Sequence, residues 1–170
     1  MIIATNYNPY GNRKFSSREM VSGMRTPNGI NRPDLVILVG LPGIGKSTFA
    51  RTERFAGFDY VSKDQIRKSR KIEAQIALVK DALMNGRSVI VDNTNAGIEE
   101  RAPLISLGIE YGARIIGYYF EPDVNVARER NRSRAKRVPD VAIHATRKRL
   151  VMPSIEEGFD EIHSLPIEPR

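Results

Sequence analysis

Short apolar runs alternate with longer stretches in which apolar residues recur at helical spacing, and this alternation is sustained from Leu35 onward. Leu35–Val39 is an unbroken apolar run, the pattern of a strand buried on both faces. A helix is expected from near Lys46, fading around Arg54–Gly57, and Phe58–Ser62 reads as a second strand. Ser62 with Gln65 three residues later fits a capping box. It predicts a helix carrying Ile72, Ile76, Val79 and Leu83, stopped by Asn85-Gly86. Ser88–Val91 is a third strand, ended by Asp92. Thr94 or Asn95 is placed to cap a helix running towards Leu107-Gly108, which Pro103 should kink or divide. Ala113–Phe120 is a fourth strand. Asp123 opens a helix through Arg132, and Pro139-Asp140 opens another to about Val151, ended by Met152-Pro153. Ile162–Leu165 reads as a last strand. Alternating strands and helices predict an α/β fold: a parallel sheet, helices on both faces, and a site at the carboxyl ends of the strands.

Residues 1–33 break this pattern. They are rich in Asn, Gly, Pro, Ser, Arg and Tyr, and Arg13, Lys14, Arg18, Arg25 and Arg32 make them basic. The division expected is a polar arm over 1–33 and one folded domain over 34–170. A loosely ordered surface arm and an arm that touches nucleic acid both fit.

Charge and composition narrow the classes. The net charge is +7, and a phosphate-rich partner suits it. There is no cysteine, so disulfides and thiolate metal sites are excluded, and His144 and His163 alone are too few for a histidine metal cluster. No apolar run approaches a membrane span, and Met1–Ala4 is too short an apolar start for a signal peptide, so a soluble cytoplasmic protein is expected.

The first strand runs into Gly40-Leu41-Pro42-Gly43-Ile44-Gly45-Lys46-Ser47-Thr48, which matches G-x-x-x-x-G-K-S from Gly40 to Ser47. Glycines let backbone N–H groups turn inward onto phosphate oxygens, and a helix N-terminus adds its positive end. Lys46 would reach the β/γ-phosphates and Ser47 would bind Mg²⁺. The dinucleotide fingerprint is excluded, because Lys-Ser-Thr follows Gly45 where a third glycine is required. The fold implied is that of a P-loop NTPase or kinase, with ATP or another NTP and Mg²⁺ as cofactors.

Three further clusters carry candidate chemistry. Asp64 and Arg67 lie one helical turn apart after the second strand; the carboxylate could accept a proton from a hydroxyl and the guanidinium could hold a phosphate. Asp64 could equally be an acid favoured by a helix N-terminus. Asp92 follows an apolar strand, as a Walker-B acid does, but Asn93-Thr94-Asn95 comes next, without the glutamate of a motor ATPase. A turn stitched by side-chain hydrogen bonds is the alternative there. An Asn-Lys-x-Asp guanine-reading element is absent, which disfavours a GTPase switch. Arg128–Arg137 is dense in cations; Arg130 and Arg134 share a face if the helix persists, and Val138-Pro139 suits the hinge of an arginine-rich lid. Arg147-Lys148-Arg149 reads better as a solvated surface.

Together, GLPGIGKST, Ser62-Lys63-Asp64-Gln65-Ile66-Arg67, Val91–Asn95, Arg130–Arg134 and Pro153-Ser154-Ile155-Glu156-Glu157-Gly158-Phe159 resemble the kinase domain of polynucleotide 5′-hydroxyl kinases. The family includes the phage end-healing enzyme and the kinase half of animal polynucleotide kinase/phosphatase. The resemblance runs from about Leu35 to the C-terminus. It implies transfer of the γ-phosphate of ATP to 5′-hydroxyl ends of DNA or RNA. It implies Asp64 as general base and Arg67 on the phosphate 3′ to the terminal nucleotide. Lys46 and Arg134 would act on the donor phosphates, Arg130 would lie near the nucleotide, and Ser47 would bind Mg²⁺. Asp92 and Asn93 fall where the family carries an acid or amide near the acceptor. The Asp-x-Asp phosphatase motif of many relatives is absent, so a kinase-only protein is expected. Two other readings remain open: a P-loop kinase for a small molecule such as a sugar acid, nucleoside or nucleotide sugar, and a non-catalytic nucleotide-dependent nucleic-acid binder.

Overall fold

The computed structural model describes residues 32–66 and 70–167. Most of the N-terminal arm, and Arg67, lie outside the described residues. Five strands, β1 (Asp34–Val39), β2 (Asp59–Val61), β3 (Val89–Val91), β4 (Arg114–Phe120) and β5 (Glu161–Leu165), form one sheet in the order β2-β3-β1-β4-β5. Every pairing is parallel. The helices are α1 (Lys46–Ala50), α2 (Lys71–Met84), α3 (Ile98–Glu110), α4 (Val124–Arg132) and α5 (Asp140–Arg149). None among the described residues is long and apolar enough to cross a membrane.

The unbroken apolar run of β1 has a direct cause. Leu35, Ile37 and Val39 point into a core with Val79 and Leu83 of α2 and Leu104 and Leu107 of α3. Val36 and Leu38 point the other way, into a core with Phe49 of α1, Ala127 of α4 and Ile143 of α5. From Leu35 to Val39 no position of the central strand is left for a polar residue, and each such buried aliphatic side chain contributes about 1.5–3 kcal/mol. The parallel sheet with helices on both faces is therefore as expected. The chain leaves β1 towards β2 on one side, and after β3 it crosses to β4 on the other. That change of direction opens a crevice at the carboxyl end of β1.

Several local expectations are corrected. Ser62 caps only a 3-10 turn, Lys63–Gln65, its hydroxyl accepting the Asp64 N–H at 3.3 Å. Ile66 is already extended, and α2 starts at Lys71 behind Arg70, whose φ is +60°. A short hydroxyl side chain stabilises a tight turn as readily as a helix. Asp64 therefore lies on a 3-10 turn and not in an α-helix. Val79 and Leu83 are buried as expected and Ile76 packs against their core, but Ile72 is 62% exposed. The cap of α3 is Gly97, without a side-chain bond, rather than Thr94 or Asn95. Pro103 leaves α3 undivided. It sits in the second turn on the exposed side of the helix, where water can bond a carbonyl left without a helical donor.

Candidate active site

Backbone shapes the phosphate loop before any side chain enters it. Gly43 has φ +83°, and a Cβ there would lie 2.7 Å from the Ala127 carbonyl oxygen of α4. Only glycine allows the loop to seat against that helix. Leu41 and Ile44 are buried and anchor the loop from below. The Gly40 N–H donates to the Thr94 carbonyl at 3.0 Å, tying the loop to the β3–α3 connection. Asn95, fully buried, donates its amide to the Leu38 carbonyl at 2.7 Å. Pro42, Gly45, Ser47 and Thr48 complete the motif at the mouth of the crevice.

Helix α1 is only five residues long. Thr52 turns back to the Phe49 carbonyl at 2.9 Å, and Phe55 packs edge-on against Phe49 with centroids 5.3 Å apart. So few aligned peptides sum to a small dipole. Loop amides and Lys46, rather than the helix end, must carry the attraction for an anion.

Lys46 is 7% exposed, and its ammonium donates to the carbonyls of Gly40 at 2.9 Å and Leu41 at 2.7 Å. Burial brings its pKa down to about 8; Asp92 pushes it up, Arg134 down and Asp64 up. Asp92, Arg134 and Asp64 thus all act on one ammonium.

The pair after β3 points two ways. Asp92, nearly buried, accepts the Tyr60 hydroxyl at 2.5 Å. The same hydroxyl interacts with those of Ser62 and Ser47, while burial first and Asp92 second push the phenol pKa up. Asn93 faces the acceptor side instead. Its carbonyl accepts the Lys63 N–H at 2.9 Å, and its amide donates to Gln75 of α2 at 3.1 Å. Asp64 is exposed on the turn that this contact holds.

Helix α4 closes the opposite wall. Arg130 donates to the Ile44 carbonyl at 2.8 Å, so it lies on the phosphate loop itself. The helix ends at Arg132, and Arg134 stands beyond it, so the two arginines do not share a helix face. Asn131, buried, bonds both backbone groups of Val138, at 2.6 and 2.9 Å, and 133–137 form an exposed cationic loop beyond the end of α4. A cavity of about 490 Å³ opens beside α4, lined by Val126, Glu129, Arg130, Arg132 and Ser133. In the Arg147–Arg149 cluster, Arg149 pairs with Glu100 at 2.6 Å.

The donor set suits Mg²⁺. Ser47 and Asp92 offer hard oxygen ligands joined through Tyr60. Among the described residues no group of three or more His, Cys, Asp or Glu gathers to cage a metal. A Mg²⁺ ion at Ser47 and Asp92 would be held by these one or two protein oxygens, with phosphate and water completing its shell.

Tyr60, Gln75 and Asn131 are the contributors that sequence reasoning missed. Their contacts run between elements far apart in sequence, and only the Asn131–Val138 clasp has a local signal, a buried amide just before a cationic loop.

Comparison with known proteins places this arrangement. A bifunctional polynucleotide phosphatase/kinase of Schizosaccharomyces pombe is 33% identical over 142 residues, covering 79% of this chain and 34% of the relative. An L-seryl-tRNA(Sec) kinase of Methanococcus maripaludis is 28% identical, covering 74% of this chain and 56% of the relative. The chain thus spans about a third of the first relative and just over half of the second. A fungal RNA kinase structure superposes with a TM-score of 0.67 at 17% identity, over 81% of this chain and 39% of that one, which shows a shared fold. The resemblance carried by the motifs is therefore borne out. Residues 35–153 match the family model of the AAA domain, here with Asn93 rather than a motor glutamate after Asp92, and the chain belongs to that family as a P-loop kinase.

Proposed function

We propose that the protein transfers the γ-phosphate of ATP to the 5′-hydroxyl end of DNA or RNA. The observation that carries the reading is the exposed Asp64 carboxylate on the turn after β2, which Asn93 holds through the Lys63 N–H, near enough to the phosphate-loop lysine to favour its charged form. The similarity to a polynucleotide phosphatase/kinase and the net charge of +7 support a polyanionic acceptor.

In this reading the loop amides and Lys46 hold the donor phosphates, and Arg130 and the cavity beside α4 take the nucleoside. Ser47 and Asp92 would hold Mg²⁺, which would supply positive charge against the transferred group. Asp64 removes the proton of the 5′-hydroxyl as that oxygen bonds to the γ-phosphorus. The bond from the γ-phosphorus to the β–γ bridging oxygen breaks, and ADP leaves. Arg134 offsets charge on the moving phosphoryl group. Arg67 is assigned, from the sequence, to the phosphate next to the acceptor end.

The test is incubation with γ-labelled ATP, Mg²⁺ and 5′-hydroxyl oligonucleotides of DNA and RNA, beside the same strands already 5′-phosphorylated. Label on the 5′-hydroxyl strands alone is expected. Label on none of them, with ATP bound or consumed, would overturn the reading. The similarity to an L-seryl-tRNA(Sec) kinase favours a second reading, a hydroxyl acceptor other than a strand end. Transfer to such an acceptor in place of the oligonucleotide would select it.

A further inference from the structure

Asn93, placed near the acceptor by the resemblance, also joins the turn bearing Asp64 to the body of the fold. Its carbonyl oxygen accepts the backbone N–H of Lys63, the residue before Asp64, at 2.9 Å. Its amide donates to Gln75 at 3.1 Å, and Gln75 is 3% exposed on α2. A buried glutamine amide is costly unless paired, so this contact holds a defined geometry. The turn needs such an anchor. It is a single 3-10 turn capped by one 3.3 Å Ser62 bond, and Ile66 leaves it in an extended conformation.

We propose that Gln75 and Asn93 form a positioning relay that sets the height of Asp64 above the phosphate loop. The proposal rests on the reading of Asp64 as the base. The neighbouring pair Asp92-Asn93 then divides two tasks. Asp92 orders the donor side through Tyr60, and Asn93 orders the acceptor side through Lys63. Neither Asn93 nor Gln75 is a catalytic residue in this account, because both act through the backbone of the turn. The relay also makes the placement of Asp64 depend on α2, whose first turn begins only after Arg70. A small displacement is enough to matter, since misplacing a reacting group by about 1 Å can cost on the order of 100-fold in rate.

The experiment compares Asn93→Ala, Asn93→Asp, Gln75→Ala and Asp64→Asn on a 5′-hydroxyl oligonucleotide. Turnover, acceptor KM, calorimetric ATP affinity and thermal midpoint are measured for each. Asn93→Ala should lower kcat by about 10- to 100-fold while ATP affinity stays within about twofold. Gln75→Ala should lower kcat in the same direction by a smaller factor. Asn93→Asp keeps the acceptor for the Lys63 N–H, and the Gln75 amide can turn to donate to its second oxygen, so kcat should return to near the wild-type value.

Wild-type kcat in Asn93→Ala, with Asp64→Asn inactive, would overturn the relay and leave the role of Asp64 standing. Equal loss of kcat and ATP affinity in Asn93→Ala would also overturn it, as would failure of Asn93→Asp to recover turnover. Should Asn93→Ala not fold, Gln75→Ala decides by the same comparison of kcat with ATP affinity. Full activity in Asp64→Asn would instead overturn the proposed base.

Discussion

The guanidinium of Arg101, with no exposed surface, meets the carboxylate of Glu157 through two hydrogen bonds of 2.7 Å. Its remaining nitrogen donates to the carbonyls of Asn95, Ala96 and Val151. Glu157 also accepts the Ser154 N–H at 3.1 Å. The segment Pro153–Phe159 is thereby fastened to the β3–α3 connection, whose Asn95 reaches Leu38 and whose Thr94 reaches Gly40. A line of hydrogen bonds runs from near the C-terminus to the root of the phosphate loop.

Breaking this pair should be costly on one side and mild on both. Glu157→Gln leaves a buried guanidinium without its counter-charge and should lower the unfolding free energy by about 3–5 kcal/mol. Arg101→Met with Glu157→Leu should recover much of that loss, because paired removal spares the buried charge. Urea unfolding reads both. An unchanged midpoint in Glu157→Gln would mean that water already reaches Arg101.

Lys46 should make nucleotide binding a proton-coupled event. Its pKa in the free protein is about 8, lowered by burial from an ordinary 10.5. Phosphates favour the charged ammonium and raise that value. Binding above pH 8 should therefore take up a proton, and affinity should fall as pH rises through and beyond 8. Calorimetry at pH 8.5 in two buffers of different ionisation enthalpy reads the uptake directly. Proton release on binding would contradict the assignment, and Lys46→Met should abolish the uptake.

Asp64→Asn should keep ATP affinity and lose phosphoryl transfer by about 10²–10⁴-fold, the usual contribution of a positioned base. Single-turnover transfer to a 5′-hydroxyl strand measures it. Full activity would reduce Asp64 to a residue of the turn.

The two arginines should separate. Arg130 holds the Ile44 carbonyl, so Arg130→Ala should weaken ATP binding. Arg134 stands on the exposed loop and acts on the Lys46 region at a distance, so Arg134→Ala should lower kcat by about 10²–10³-fold with a smaller change in affinity. Titration and turnover measured side by side decide, and equal effects of both kinds in both variants would show one shared role.

Gly43→Ala places a methyl group 2.7 Å from the Ala127 carbonyl, at φ +83°. The loop must lift from α4 to relieve it. ATP affinity should drop at least tenfold, while the fold, read by circular dichroism, remains. Unchanged affinity would mean that the loop can shift without reshaping its anion site.

The α/β architecture was legible because the central strand is apolar on both faces and because one motif joins a strand to a helix. The phosphate loop was legible for the same reason, its glycines and lysine being consecutive. What escaped was set by contacts between distant elements. Ser62 looked like the start of a long helix, since a hydroxyl caps a single turn and a helix by the same bond. Pro103 looked like a break, since sequence does not show which carbonyls face water. Sequence does not show what Asp92 and Asn93 each bond; their partners, Tyr60 for one and Lys63 with Gln75 for the other, tell them apart. Arg101 carried no local mark of burial, because its counter-charge is 56 positions away.

The Asn131–Val138 clasp has an evolutionary consequence. One buried side chain joins the two feet of the cationic loop, so the closure entropy is met at the base and not along the span. The span 133–137 can then change in length without disturbing α4 or α5. The loop can diversify for different acceptors while the floor beneath it stays the same.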